Sequence, residues 1–278
     1  MSAKITGQTH LKEVLKNLID NDKLPRLIIL VGGRGSGKTL ICEWVAEQLG
    51  IPMIERETRA EDVRETVEQS YKTSAKVLNV FRDLESMSNA SRNALLKVIE
   101  EPPNGAYFMM TATDISNQAL ATIRSRGTVF YMDAYTYQEL LEYAENSKYA
   151  VTEEMLKKVV GVCETPYEID LLMKYGVDDF FNYVNLVIEN IATVSGSNSF
   201  KIGDKLAFKA EDKEKKFDLA LFLKVFMKKC SDEMYNDPLK YGEGVRITSK
   251  YLQELSVVSA NKQFIFDEWL LSIRKAWM

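Results

Sequence analysis

Eight residues constrain this chain more than any others: Gly32-Gly33-Arg34-Gly35-Ser36-Gly37-Lys38-Thr39. They follow the apolar run Leu27-Ile28-Ile29-Leu30-Val31 and precede a helical pattern from Leu40 to Leu49. The order is strand, glycine turn, helix. The spacing G-x-x-x-x-G-K-T in that setting is the phosphate-binding loop. Its glycines let the backbone curl until successive N–H groups converge on phosphate oxygens, and the helix N-terminus adds its positive end. All eight residues are therefore candidate nucleotide ligands. Lys38 would reach the β- and γ-phosphates, and the Thr39 hydroxyl would hold Mg²⁺. A chance glycine turn is the plain alternative, and it would not need the flanking strand and helix.

Composition narrows the setting. The chain has 278 residues, enough for two or three domains, with 46% hydrophobic and 27% charged residues. A formal net charge of −4 excludes the strongly basic surface of a protein that grips nucleic acid alone. The cysteines, Cys42, Cys163 and Cys230, lie far apart in apolar or helical surroundings. No pair has metal-ligand spacing, so they read as buried thiols in a reducing compartment rather than disulfides or zinc ligands. Met1-Ser2-Ala3-Lys4 offers no signal-peptide core, and no apolar run approaches about 18 residues. A cytoplasmic protein with no membrane partner is expected.

Taken in order, Leu11, Val14, Leu15, Leu18 and Ile19 fall at helical spacing, with Thr6 or Thr9 as the cap and Pro25 as a block. His10, the single histidine, reads as a surface residue near this helix start rather than a ligand. Ile51–Ile54, Val77–Phe81, Tyr107–Thr113 and Thr128–Met132 are strand candidates, separated by helical patterns at Ala60–Tyr71 and Ser91–Glu101. Alternation of this kind implies an α/β domain with a parallel sheet covered on both faces, whose function sits at the strand C-termini. From Thr136 the pattern turns helical: Tyr137–Glu145, Thr152–Val162, Glu168–Tyr175 and Val177–Val194. Ser195-Gly196-Ser197-Asn198 reads as a linker and a polar segment runs to Lys216. Helical stripes then carry Phe217, Leu221, Phe222, Val225 and Phe226, later Leu252, Leu255 and Val258. The expected division is 1–134, 135–196 and 197–278.

The segment Asn93-Ala94-Leu95-Leu96-Lys97-Val98-Ile99-Glu100-Glu101-Pro102-Pro103 adds specificity that a phosphate loop lacks. Joined to Thr111-Ala112-Thr113-Asp114, Ile123-Arg124-Ser125-Arg126-Gly127 and the opening Gly7-Gln8, it resembles the AAA+ clamp-loader subunits. These are the bacterial polymerase III gamma/tau and delta-prime subunits and their replication factor C relatives. The likeness is close over residues 5–132 and extends only in layout beyond them. It implies an AAA+ phosphate-loop domain, a helical lid and an all-helical C-terminal collar. It also implies ATP and Mg²⁺ as cofactors, with other clamp-loader subunits (in a hetero- or homo-oligomer), a sliding clamp and primed DNA as partners. The compactness suits a small or virus-encoded version.

Carried over residue by residue, the resemblance places catalytic roles on Asp83, Glu85, Thr113 and Arg126. The family's acidic pair reads Arg82-Asp83-Leu84-Glu85 here. Asp83 is the metal candidate beside Thr39, and Glu85 the substitute base; both also fit solvated loop acids. Thr113 falls at the polar sensor, or is a strand threonine satisfied by backbone. Arg126 matches the arginine that projects into a neighbour's nucleotide site, with Gly127 in place of the family's cysteine. Arg124 competes for that role, and a surface arginine paired with an acid is the plain alternative. Residues 50–80 contain no cysteine, so the family's zinc module is not expected. The place of the second sensor, Cys163-Glu164-Thr165-Pro166-Tyr167-Glu168, has no arginine. Two functions from different classes follow: an ATP-driven clamp-loader subunit, or a nucleotide-binding scaffold with little hydrolysis that supplies Arg126 to its neighbour. A helicase loader is a third, against which the Asn93–Pro103 segment speaks.

Overall fold

In a computed structural model the described residues are 5–73, 75–101, 103, 105–116, 120–149, 151–192, 200–207, 216–255 and 261–278. The linker expected at 195–198, the lid–collar boundary at 196, most of the polar segment before Lys216, and Val258 lie outside them. So does Pro102 of the signature segment. The chain divides into two units, residues 1–139 and 140–278.

The first unit is built on a five-stranded parallel sheet. Its strands are β1 (Leu27–Val31), β2 (Met53–Arg56), β3 (Val77–Phe81), β4 (Ala106–Ala112) and β5 (Thr128–Tyr131). Their spatial order is β2-β3-β4-β1-β5, and every residue of β1 and of β3 is buried. Continuous apolar runs are what a parallel sheet with both faces covered demands. On one face Leu27, Ile29 and Val31 join Phe81, Phe108 and Met110 under α3 (Ala60–Lys72) and α4 (Asn89–Glu100). On the other, Ile28, Leu30, Leu78, Val80 and Met109 pack with α1 (Thr9–Asp20) and α2 (Lys38–Leu49). A one-turn helix, α5 (Ala121–Arg124), precedes β5, and sequence periodicity gave no sign of it.

Strand register fixes where chemistry can occur. Val31 pairs with Ala112 and with Tyr131, while Phe81 pairs with Met110. The segments that begin at Gly32, Arg82, Thr113 and Met132 therefore leave the sheet along one carboxyl edge. Three local expectations need correction. Neither Thr6 nor Thr9 caps α1; Gln8 holds the cap position at φ 55°, with its side chain engaged elsewhere. The helix also stops at Asp20, through the turn at Asn21 and Asp22, before Pro25 can act. β2 runs on through Glu55 and Arg56, because Arg56 donates to Asn79 Oδ1 (2.9 Å) and Glu55 pairs with Arg82 (2.7 Å).

The second unit is helical: the end of α6 (Tyr137–Glu145), α7 (Glu153–Val160), α8 (Pro166–Tyr175) and α9 (Val177–Asn190), then α10 (Leu219–Glu233), α11 (Pro238–Leu255) and α12 (Lys262–Trp277). A two-residue parallel pairing joins β6 (Leu206–Ala207) to β7 (Phe217–Asp218). Polar side chains start the helices as capping chemistry requires: Thr152 accepts from Met155 N, Thr165 from Glu168 N, Asp218 from Ala220 N and Asn261 from Phe264 N. An aromatic cluster of Phe222, Phe226, Phe266 and Trp269 forms the core, and the buried Trp269 indole donates to Thr248 Oγ1 at 3.0 Å. Gly244 lets α11 come close, since a Cβ there would stand 3.0 Å from Cys230 Sγ and Trp277 Cζ2. All three cysteines are free and buried, and burial raises the Cys42 and Cys230 thiols to about 12. Among the described residues no helix is long and apolar enough to cross a membrane.

Candidate functional site

Gly32 leaves β1 with its N–H still donating to Ala112 O at 3.1 Å. Gly35 (φ 81°) and Gly37 (φ 89°) then take left-handed conformations that side chains resist, which closes the loop into a cup. Ser36 N donates to Gly33 O, and Gly37 sits at the N-cap of α2, its carbonyl accepting from Ile41 N at 3.0 Å. The Lys38 ammonium folds over the loop and donates to Gly32 O (2.6 Å) and Gly33 O (2.9 Å). Burial lowers its pKa, against the opposing pull of Glu85 and Asp83 nearby. A partly desolvated cation resting on neutral carbonyls, at a helix N-terminus and inside a glycine turn, is matched to a polyanionic ligand. Gly33 and Arg34 are exposed on the rim, and a Cβ on Gly33 would meet nothing within 4 Å, so the cup is open there. Thr39 is the second residue of α2 and half-buried.

The two acids part company. Asp83, at φ 51°, turns the chain after β3; its N–H donates to Thr111 Oγ1 (3.3 Å), its carbonyl accepts from Ser86 N and Oγ, and its residue is exposed. That turn and the 3₁₀ segment Leu84–Ser86 swing Glu85 back toward the sheet. Glu85 Oε1 accepts from the Thr113 N–H at 2.8 Å, and Oε2 is buried with no hydrogen-bond partner among the described residues. Glu85 and Thr113 are thus brought together, through the backbone of Thr113 rather than its hydroxyl. One oxygen of this carboxylate is anchored and the other is buried with no hydrogen-bond partner among the described residues, and Lys38 lies within its electrostatic reach.

Arg126 is elsewhere. It follows α5 and precedes β5, which starts level with the beginning of β1, so it stands at the amino edge of the sheet. The glycine loop leaves the carboxyl edge. Arg126 Nη2 pairs with Glu100 Oε1 at 3.1 Å and Nη1 donates to Thr122 O, both side chains being well exposed (39% and 54%). Arg124 Nη1 is taken up by Ile115 O at 3.0 Å. Gly127 has a packing reason: a Cβ there would lie 2.9 Å from Ile29 Cδ1 and 3.1 Å from Leu27 Cδ2. In the second unit, the turn that lacks an arginine carries a different device, with Lys224 of α10 donating to both Glu164 and Glu168.

Sequence reasoning passed over the segment after β5. Met132 presses on the start of the loop, where a Cβ on Gly32 would come within 2.7 Å of its Cγ. Tyr135 donates its hydroxyl to Ser36 O at 3.1 Å. Gln8, almost wholly buried, pairs with Asp133 in both directions: Nε2 to Asp133 O (2.7 Å) and Asp133 N to Oε1 (2.8 Å). Only contacts spanning 99 to 125 residues identify this strap. Gly7-Gln8 was visible in the sequence as part of the resemblance, without a reason for the glutamine.

The model of the family DNA polymerase III, delta subunit, matches residues 51–136. The chain is 25% identical over 236 residues to DNA polymerase III subunit gamma/tau of Mycoplasma genitalium, covering 72% of this chain and 38% of that protein. The chain is similar to clamp-loader AAA+ subunits. It is 26% identical over 174 residues to DNA polymerase III subunit gamma of Buchnera aphidicola subsp. Schizaphis graminum, covering 51% of this chain and 48% of that protein. It therefore spans less than half the length of either curated relative. Among solved structures, a DNA polymerase III gamma subunit-related protein from Thermotoga maritima superposes with a TM-score of 0.53 at 16% identity, covering 96% of this chain and 99% of that one. At that identity the likeness is one of fold, and the fold is that of AAA+ proteins.

Proposed function

We propose that this chain is an ATP-binding clamp-loader subunit of DNA replication that works inside a multi-subunit AAA+ assembly. The observation that carries the reading is Lys38, a partly desolvated cation held over the glycine cup by Gly32 O and Gly33 O, with Glu85 and Asp83 beside it. Such a cup fits the phosphates of ATP, with Gly32 to Thr39 as its ligands and Thr39 and Asp83 as the Mg²⁺ holders. Bound there, ATP would supply the free energy of hydrolysis and the charge that orders neighbouring subunits. Lys38 would exchange its two carbonyl contacts for phosphate oxygens, and Glu85 would accept a proton at Oε2. Arg126 would leave Glu100 for a neighbour's site, since it stands at the wrong edge of the sheet to reach its own loop. Residues 1–134, 135–196 and 197–278 would serve as nucleotide domain, lid and collar. The partners are other loader subunits, a sliding clamp and primed DNA.

The scaffold reading has its own support. Asp83 is exposed in a left-handed turn, and the Cys163–Glu168 turn offers Lys224 already tied to two carboxylates rather than an arginine. Both features favour binding over rapid turnover. Steady-state ATPase of the purified chain, alone and in a reconstituted assembly with clamp and primed DNA, separates the two. Stimulated hydrolysis that Lys38→Ala abolishes supports the loader. ATP binding without hydrolysis supports the scaffold, and no ATP binding at all refutes both.

A further inference from the structure

We propose that Tyr135 is a positioning residue for the phosphates, acting through the peptide unit between Ser36 and Gly37. The inference rests on the ATP-binding reading above. A trans peptide is planar, so its C=O and N–H point in opposite directions. No cis bond occurs among the described residues. Tyr135 draws the Ser36 carbonyl toward the strap with a 3.1 Å hydrogen bond. The Gly37 N–H, antiparallel to that carbonyl within the same plane, is thereby aimed away from the strap. The amide dipole that faces a phosphate is set by a hydroxyl 99 residues further along the chain.

Three observations make the tether a deliberate one. The Ser36 side chain gives the peptide no hold of its own: its hydroxyl is buried without a partner among the described residues. Gly37 sits at φ 89°, and a Cβ there would stand 3.2 Å from the Tyr135 oxygen, a tighter approach than Cβ atoms usually make. The strap is itself held on both sides of Tyr135. Gln8 pairs with the Asp133 backbone, and Thr136 and Glu139 close a capping box in which Thr136 N and Oγ1 donate to Glu139 Oε2 and Glu139 N donates to Thr136 Oγ1. Burial raises the Tyr135 pKa, which keeps the phenol protonated and donating. A loop so fixed before ligand arrives loses less freedom on binding.

The test is Tyr135→Phe, which keeps the ring and removes the hydroxyl, with its contacts to Ser36 O and the Gln8 side chain. ATP, ADP, inorganic tripolyphosphate and adenosine are titrated calorimetrically against wild type, Tyr135→Phe and Lys38→Ala. Loss of the hydroxyl predicts ATP, ADP and tripolyphosphate affinities about three- to tenfold weaker, with adenosine binding unchanged and the ligand-free melting temperature lower by no more than about 4 °C. In ¹⁵N-glycine-labelled protein, the Gly37 amide resonance should shift in the variant before any ligand is added. If wild type binds ATP, Lys38→Ala does not, and Tyr135→Phe binds ATP as wild type does, the proposal is wrong while the nucleotide site stands. An equal loss for adenosine, or a large drop in melting temperature, would make the hydroxyl merely structural and also overturn it. Wild type that binds no ATP removes the site and the proposal together.

Discussion

The two edges of one sheet do opposite things with their positive charge. At the carboxyl edge, Lys38 is half-buried, lowered in pKa by desolvation and cradled by carbonyls of its own loop. At the amino edge, Arg126 is exposed and paired with the more accessible Glu100. β5 starts level with Ile28 and ends level with Val31, three strand steps or about 10 Å, with a turn still to add at each end. One cation is held over its own loop by backbone carbonyls, and the other lies at the surface on one exposed carboxylate and one carbonyl. Under the proposed function, that difference would let the arginine of one copy serve the loop of another.

The sharpest way to break that contrast is Arg126→Ala. Hydrolysis in the reconstituted assembly should fall by about a thousandfold, the scale of a missing arginine finger, while the chain's own ATP affinity is unchanged. Mixing mutant and wild-type subunits reads this directly, and a defect confined to the mutant's own binding would collapse the distinction between the edges. Lys38→Ala should do the reverse, weakening ATP binding by about a hundredfold through loss of a charge-assisted contact, as a titration of the isolated chain will report. A smaller effect is expected from Gly127→Cys, which restores the residue of the related motif. Its Cβ would press on Ile29 and Leu27, costing about 1–3 kcal/mol in denaturant unfolding with no change in nucleotide binding. Least of all, Glu100→Ala should alter stability by under about 1 kcal/mol, because both members of the pair are exposed. A large loss there would mean that Arg126 is a structural residue.

Much of this was readable in the amino acids because its causes are local. β1 and β3 are buried on both faces and announce themselves as unbroken apolar runs; Gly35 and Gly37 mark the turns that only glycine makes easily. Thr152 lies one residue before its helix and caps it as its spacing suggests. The acids were harder. The resemblance ranks Asp83 above Glu85, yet the left-handed turn at Asp83 leaves the first exposed and folds the second onto Thr113 N. The α1 cap was misread for the same reason, since Gln8 turns away from its helix to pair with Asp133.

By itself, the sequence determined the strand–loop–helix unit and the α/β and all-helical halves, because apolar period and glycine spacing act over a few residues; the resemblance to clamp-loader AAA+ subunits rests on the Asn93–Pro103 segment and the motifs beside it. Only the tertiary structure decided that Met132 and Tyr135 brace the glycine loop, that Glu85 rather than Asp83 turns inward, and that Lys38 and Arg126 occupy opposite edges. Those outcomes depend on strand order and register, which bring together residues about 100 positions apart, and no local pattern encodes such a pairing.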